Sequence, residues 1–222
     1  MRRLALAIGI TQLAATLCAG AELSSAQEYA QAIRATPDLG HGGQIFHNRC
    51  EPCHGATGEG YPGGGVAAFP VTGGQHFRVI VMALVRFRHG HSSAHRMQYF
   101  SNADRLASAA DVADVAAYIA ALQPTAPVGM GSGLSLDEGA RVYFRVCESC
   151  HGPTGAGQAA RPVPRLAGQH YRYLLRQLNA PADAQAGNDG AHGKRIQQLS
   201  AADREAVADY LSRLLRPVAH TR

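Results

Sequence analysis

The chain has 222 residues, of which 46% are hydrophobic and 17% charged, so its composition is that of a globular protein of one or two domains. Its densest apolar run, Val79 to Val85, falls far short of the roughly 20 residues that cross a bilayer, which excludes a multi-pass membrane protein. The formal net charge of +5 is small and the basic residues are scattered, so we expect no nucleic-acid partner.

Residues 1–21 have the pattern of a cleaved signal peptide. Two arginines follow the first Met, an apolar stretch runs from Leu4 to Leu17, and Ala19-Gly20-Ala21 offers the small residues of a cleavage site. A second possible cut lies after Ala26. A mature chain that begins at Glu22 carries 19 basic against 16 acidic side chains, a net charge of +3. We expect export to a bacterial periplasm and no transmembrane span in the mature chain.

Two copies of one motif hold all the cysteines of the mature chain. Cys50-Glu51-Pro52-Cys53-His54 and Cys147-Glu148-Ser149-Cys150-His151 both follow C-x-x-C-H, the attachment signal of c-type haem. Two thiols on one helical turn are placed to bond one haem, and the next residue offers its imidazole to the iron. Two disulfides would not account for the histidines, and a zinc site needs more closely spaced cysteine pairs. We expect two covalently attached c-type haems, bound by Cys50, Cys53, Cys147 and Cys150, with His54 and His151 as iron ligands.

The surroundings of the two motifs also repeat, which predicts two similar domains. The repeated positions are Gly42 and Phe46 before the first motif, matched by Gly139 and Tyr143, and Pro70 and Gln75 after it, matched by Pro164 and Gln169. Each half ends in a predicted amphipathic helix, Asp111–Leu122 and Ala201–Leu215, the second with Ser200 as N-cap. A further amphipathic segment, Ser24–Ala35, predicts a helix packed across the first domain.

The segment between the halves, Gln123–Ser135, is rich in proline and glycine and has the composition of a linker. We therefore expect a first domain over residues 22–126, a linker over 127–131 and a second domain over 132–222. Because every strong periodic segment is helical, the expected fold class is all-α.

The chain resembles the class I cytochromes c, and specifically the dihaem cytochrome c4 type, over essentially all of the mature sequence. The resemblance rests on the tandem C-x-x-C-H-G, the glycine–aromatic pair before each motif, Leu166-Ala167-Gly168-Gln169, and terminal helices that carry Tyr118 and Tyr210. It implies two tandem class I cytochrome c domains, each a small helical fold wrapped around a covalent haem. In each domain the first and last helices would cross, and the residues at the crossings would be Gly42, Phe46 and Tyr118, then Gly139, Tyr143 and Tyr210.

The resemblance also implies which groups hold the proximal histidines of both domains and which residue is the sixth ligand in the first domain. A proline carbonyl would hold the ring of each proximal histidine, at Pro70 and Pro164, with Pro62 and Pro162 as rivals. A methionine on the loop before the last helix would be the sixth ligand of the iron. Met97, nine residues before Leu106, is our choice for the first domain, although its spacing requires an insertion near residues 101–103. The alternatives are His91 and His95, while Met82 is typical of core packing.

The second domain departs from the family, because it contains no methionine after Met130. His192 lies seven residues before Leu199, where the family methionine would be, and we expect it to be the sixth ligand. Lys194 is a weaker alternative, and an open coordination position is the other.

The function that the resemblance implies is electron transfer. We expect a periplasmic dihaem c-type cytochrome that passes single electrons between redox partners in a respiratory or oxidative chain, and is an electron carrier rather than an enzyme. The expected partners are redox proteins, with a membrane oxidase, reductase or dehydrogenase as donor or acceptor. A haem enzyme or a gas- or peroxide-binding protein is the alternative if the second iron has an open position. An electron-transfer subunit of a dehydrogenase or oxidase complex is a further alternative.

Overall fold

The computed structural model describes residues 23–63, 68–92, 94–180 and 191–216, so the predicted leader, residues 1–21, lies outside the described residues. Regular structure in the described residues is helical, apart from two isolated bridges, Tyr61–Phe69 and Gln158–Val163. In chain order the helices are α1 (Ser25–Ala32), α2 (Leu39–Arg49), α3 (Glu51–His54), α4 (Phe77–Arg88), α5 (His95–Ser101), α6 (Ala109–Ala121), α7 (Leu136–Val142), a π-helical turn (Tyr143–Cys147), α8 (Glu148–His151), α9 (Tyr171–Asn179), α10 (Ala191–Gln197) and α11 (Ala201–Arg213). The all-α fold class is confirmed.

The first half is built around the crossing of α2 and α6. Gly42 lies against the backbone of α6, where a Cβ atom would come within 2.1 Å of the Asp114 carbonyl oxygen. Only glycine allows the two helices to approach this closely. Phe46 is fully buried beside the crossing, and its ring centroid lies 5.5 Å from that of Tyr118.

The second half repeats this arrangement with α7 and α11. A Cβ atom on Gly139 would come within 2.2 Å of the Ala206 carbonyl oxygen. The ring centroids of Tyr143 and Tyr210 lie 5.8 Å apart. Both helix crossings that the family resemblance implied are therefore present.

Helix α1 packs against α4 and α6, as the amphipathic pattern predicted. It begins with a capping box, in which the Ser24 hydroxyl accepts from the Gln27 N–H (3.3 Å). The carboxylate of Glu28 is buried and pairs with two groups at the end of α4, the Arg88 guanidinium (2.7 Å) and the His89 ring (2.8 Å). This ion-paired contact fixes α1 to the first half.

The terminal helices differ slightly from the predicted bounds. Ser108 caps α6, which begins two residues before the predicted start, because the Ser108 side chain accepts from the Asp111 N–H. Ser200 caps α11 as predicted. Helix α11 ends at Arg213, because Leu214 takes an extended conformation. Shifts of one or two residues are usual at helix ends.

The predicted linker is held by hydrogen bonds to the second half. The Gly129 N–H donates to His170 Nδ1 (3.0 Å), and the Gly131 N–H donates to Asp209 Oδ1 (3.0 Å). Its glycine-rich composition therefore serves close packing against α11, where a Cβ atom on Gly131 would overlap the Asp209 side chain. Among the described helices, none has the length and apolar character needed to cross a bilayer.

Candidate haem sites

The two C-x-x-C-H motifs form short helices, α3 and α8, that continue directly from the helices before them. Cys50, Cys53, Cys147 and Cys150 are all free thiols rather than disulfide-bonded. Burial raises the pKa of Cys50 and of Cys147 to about 11, which keeps both as neutral thiols at physiological pH. The four thiols are therefore available for thioether bonds, and the disulfide alternative has no support in this geometry.

The imidazole of His54 is buried and points its Nδ1 at the carbonyl of Pro70 (3.4 Å). His151 is buried in the same way, with Nδ1 at 2.9 Å from the carbonyl of Pro164. A carbonyl only accepts, so each Nδ1 carries the proton and each Nε2 keeps its lone pair for a metal ion. Pro70 and Pro164, rather than Pro62 and Pro162, are the residues that the family resemblance implied as partners of the two histidine rings.

Both rings are held in the neutral form that binds iron. Burial lowers the pKa of His54, and the hydrogen bond to Pro70 opposes this effect. Burial also lowers the pKa of His151, again against its proline hydrogen bond. A neutral imidazole with a fixed tautomer is a standard iron ligand, so the residues present fit a c-type haem in both halves.

The second half brings a further imidazole to the same place. His192 lies in the first turn of α10, and its ring centroid is 6.2 Å from that of His151. Two imidazoles that bind one metal ion from opposite sides, each nitrogen about 2 Å from the ion, have ring centroids roughly 6 Å apart. The two rings therefore have the separation of a pair of axial ligands. Lys194 is exposed two residues further along.

In the first half, Met97 lies in α5 rather than in the loop that the sequence predicted. Its side chain is half-buried and packs against the first core, which Cys50 also contacts. The Ser101 hydroxyl donates to the Met97 carbonyl (2.6 Å) and tightens the end of α5. The alternatives His91 and His95 are both exposed. The ligand role of Met97 stays a prediction.

Sequence reasoning identified Gln75 and Gln169 as repeated positions but missed the role of these two polar side chains beside the sites. The repeat placed them at equal distances after Pro70 and Pro164, and that recurrence was a usable signal. Each one hydrogen-bonds to the backbone of the opposite half of the molecule, over a sequence separation of 90 or 98 residues. A local pattern does not show a partner so far along the chain.

Comparison with known proteins agrees with this geometry. The cytochrome c family model matches residues 136–215. The cytochrome c4 of Pseudomonas aeruginosa is 30% identical over 186 residues, which cover 78% of this chain and 87% of that protein. The chain belongs to the cytochrome c4 family. Its fold is accordingly two tandem class I cytochrome c domains. As a family member it is a cytochrome c electron carrier with covalent c-type haem.

Two further proteins are similar to this chain over most of their length. The crystal structure of reduced recombinant cytochrome c4 from Pseudomonas stutzeri has a TM-score of 0.67 and 26% identity, and covers 81% of this chain and 100% of that chain. A protein named thiosulfate dehydrogenase electron acceptor, from Stutzerimonas stutzeri, is 31% identical over 171 residues, which cover 73% of this chain and 77% of that protein.

Proposed function

We propose that the chain is a periplasmic dihaem cytochrome c that passes single electrons between redox partner proteins. Its leader, residues 1–21, would be removed on export, leaving domains over 22–126 and 132–222 joined by residues 127–131. The observation that carries the proposal is the facing pair of His151 and His192, 6.2 Å apart, because such a pair suits an iron with both axial positions filled.

Each domain supplies the same kinds of group to its site. Cys50 and Cys53 would attach one haem, and Cys147 and Cys150 the other. His54 and Met97 would be the axial ligands in the first domain, and His151 and His192 in the second. When bound, haem supplies a one-electron ferric–ferrous couple. The protein fixes the rings of His54 and His151 through the proline carbonyls and keeps these two rings away from water by burial.

An electron carrier, rather than an enzyme, is the function that irons with both axial positions filled would support. A substrate such as peroxide needs an open coordination position, and in the proposed arrangement the His192 ring, 6.2 Å from that of His151, would occupy that position in the second domain. The four cysteines of the mature chain all belong to the attachment motifs, so none remains as an axial thiolate. One-electron transfer is the chemistry that such sites retain.

The donor that we propose is a dehydrogenase, and the acceptor a membrane oxidase or reductase. The relative from Stutzerimonas stutzeri is named for accepting electrons from thiosulfate dehydrogenase, which supports a dehydrogenase on the donor side. The proposed location is the periplasm, because C-x-x-C-H haem attachment and an N-terminal export pattern occur together in this chain. This location suits such partners.

Haem stoichiometry and iron ligation test this function together. A pyridine haemochrome assay on the purified protein should give two haems per chain, and acid acetone should extract neither. The paired substitution Cys50→Ala/Cys53→Ala and its counterpart Cys147→Ala/Cys150→Ala should each leave one haem. Low-temperature EPR of the oxidised protein should show two low-spin signals, one His/Met and one His/His. A high-spin signal that responds to cyanide or nitric oxide would instead favour a ligand-binding enzyme.

A further inference from the structure

Two glutamines join the halves of the molecule in a reciprocal way. The Arg165 N–H donates to Gln75 Oε1 (2.9 Å), and Gln75 Nε2 donates to the Arg165 carbonyl (3.1 Å). In the same pattern, the Val71 N–H donates to Gln169 Oε1 (2.8 Å), and Gln169 Nε2 donates to the Val71 carbonyl (2.9 Å). Each glutamine therefore holds both backbone groups of one residue in the other domain.

The residues held in this way directly follow the two prolines that support the proximal histidines. Val71 comes after Pro70, and Arg165 comes after Pro164. A proline carbonyl and the N–H of the next residue belong to one rigid peptide plane. A glutamine that fixes this N–H therefore fixes the direction of the proline carbonyl, which accepts the Nδ1 proton of the proximal histidine.

The histidines that follow the glutamines hold the other end of each loop. His76 Nε2 donates to the Ala156 carbonyl (2.7 Å), and His170 Nε2 donates to the Glu59 carbonyl (2.9 Å). Glu59 and Ala156 each lie five residues after the proximal histidine of their domain. We call this set of four side chains the cross-domain clamp, formed by Gln75, His76, Gln169 and His170.

We propose that the clamp glutamines are positioning residues for the iron ligands of the opposite domain, Gln169 for His54 and Gln75 for His151. The inference rests on the proposed function, because it requires an iron site in each domain. A hydrogen bond at Nδ1 makes the imidazole a stronger donor to the metal and favours ferric iron. Loss of a clamp glutamine loosens that bond and raises the reduction potential of the site in the other domain.

The substitutions Gln169→Leu and Gln75→Leu test this assignment in the full, haem-loaded protein. Leucine is similar in size and uncharged, and it removes both hydrogen bonds. The readouts are the solvent exchange rate of each proximal Nδ1 proton, by NMR of the reduced protein with ¹⁵N-labelled histidine, and a redox titration. Gln169→Leu should speed exchange of the His54 Nδ1 proton only and raise the reduction potential of the site in the first domain. Gln75→Leu should speed exchange of the His151 Nδ1 proton only and raise the reduction potential of the site in the second domain.

Arg176→Gln is the matched control, because Arg176 also bonds across the halves, to the Ala68 carbonyl (2.8 Å), without touching the clamp. This substitution should leave the exchange rates of both Nδ1 protons unchanged. Loss of the positive charge should lower a reduction potential rather than raise it. The assignment is overturned if each variant affects both histidines, if neither histidine responds, or if Arg176→Gln reproduces Gln169→Leu.

Two outcomes separate this inference from the proposed function. Fewer than two haems in the unsubstituted protein contradicts the proposed function, and the clamp assignment fails with it. If the protein holds two haems but neither glutamine substitution changes the exchange rate of a proximal Nδ1 proton, only the clamp assignment is contradicted. If the buried Gln169→Leu variant does not accumulate, the half-buried Gln75→Leu variant decides the question by itself.

Discussion

The ring centroids of His151 and His192 lie 6.2 Å apart, although the two residues are 41 positions apart in the sequence. His151 is also the better supported of the two proximal histidines, because its Nδ1 lies 2.9 Å from the Pro164 carbonyl, against 3.4 Å for the equivalent bond of His54. A second imidazole and a shorter Nδ1 hydrogen bond both favour ferric iron. The second site should therefore have the lower reduction potential, and electrons should rest on the first.

Substitutions at His192 test that order of potentials. His192→Met should raise the potential of the second site, because an axial methionine raises haem potentials relative to other ligands. His192→Ala should leave a high-spin iron that binds added cyanide. A redox titration and EPR of the oxidised protein measure the two effects.

Lys194→Ala is the control for His192, because Lys194 is exposed in the same helix and is the alternative ligand. It should change neither the potential nor the EPR spectrum. A native protein whose second iron is already high-spin would show that His192 is not a ligand.

Met97→Ala tests the sixth ligand of the first site. Loss of the thioether should abolish the weak near-infrared absorption band of an iron–methionine bond and lower the potential of this site. Met82→Leu, a conservative change on α4, should leave the band intact. If the band survives Met97→Ala and disappears in Met82→Leu, the ligand is Met82.

The helix crossing in the first domain predicts a large difference between two alanine substitutions in α2. Gly42→Ala puts a methyl group within 2.1 Å of the Asp114 carbonyl oxygen, so α2 and α6 must separate. We expect a loss of roughly 1–3 kcal/mol in the free energy of unfolding, or more. Gly40→Ala, on the exposed side of the same helix, meets only the end of the Asp38 side chain and should be close to neutral. Chemical denaturation of the haem-loaded variants measures both, and equal losses would contradict the crossing.

The haem motifs were predictable from the sequence because each consists of residues that are close in sequence, whereas the helix crossings were implied by the family resemblance. C-x-x-C-H places the thiols and the imidazole on one turn, and the repeated Gly42 and Gly139 mark the close helix contacts. The proline carbonyls followed from the family resemblance. These features need no knowledge of how the domains meet.

The clamp and the position of Met97 were not predictable in the same way. Gln75 and Gln169 bond to residues 90 and 98 positions away, and their local surroundings indicate only the start of a helix. Helix α5 begins after Ala94, a poor N-cap residue that makes no side-chain cap hydrogen bond, so capping does not mark the start of the helix that holds Met97. Tertiary contacts decide both features.

His170 gives the domain contact a dependence on pH. Its ring is 1% exposed, accepts from the Gly129 N–H at Nδ1 (3.0 Å) and donates from Nε2 to the Glu59 carbonyl (2.9 Å). These partners require the neutral ring, because a proton on Nδ1 would oppose the Gly129 N–H. Burial lowers the pKa of His170 below its ordinary value of 6.5, the bond to Glu59 opposes this effect, and the charge of Arg216 adds to it.

The sign of the effect follows from proton binding in the two states. Well above pH 6.5 the ring is neutral in both the folded and the unfolded chain, so its contribution to stability is fully present. As the pH falls below this value the unfolded chain binds a proton that the folded chain does not, and stability decreases toward the lowered folded pKa. Thermal unfolding of the full haem-loaded protein at about pH 7.5 and about pH 5.5 should show this loss. His170→Gln, which keeps a donor but does not titrate, should lose less stability over the same interval, whereas the exposed His91→Gln should behave like the native protein. An equal loss in His170→Gln and in the native protein would show that another group causes the acid sensitivity.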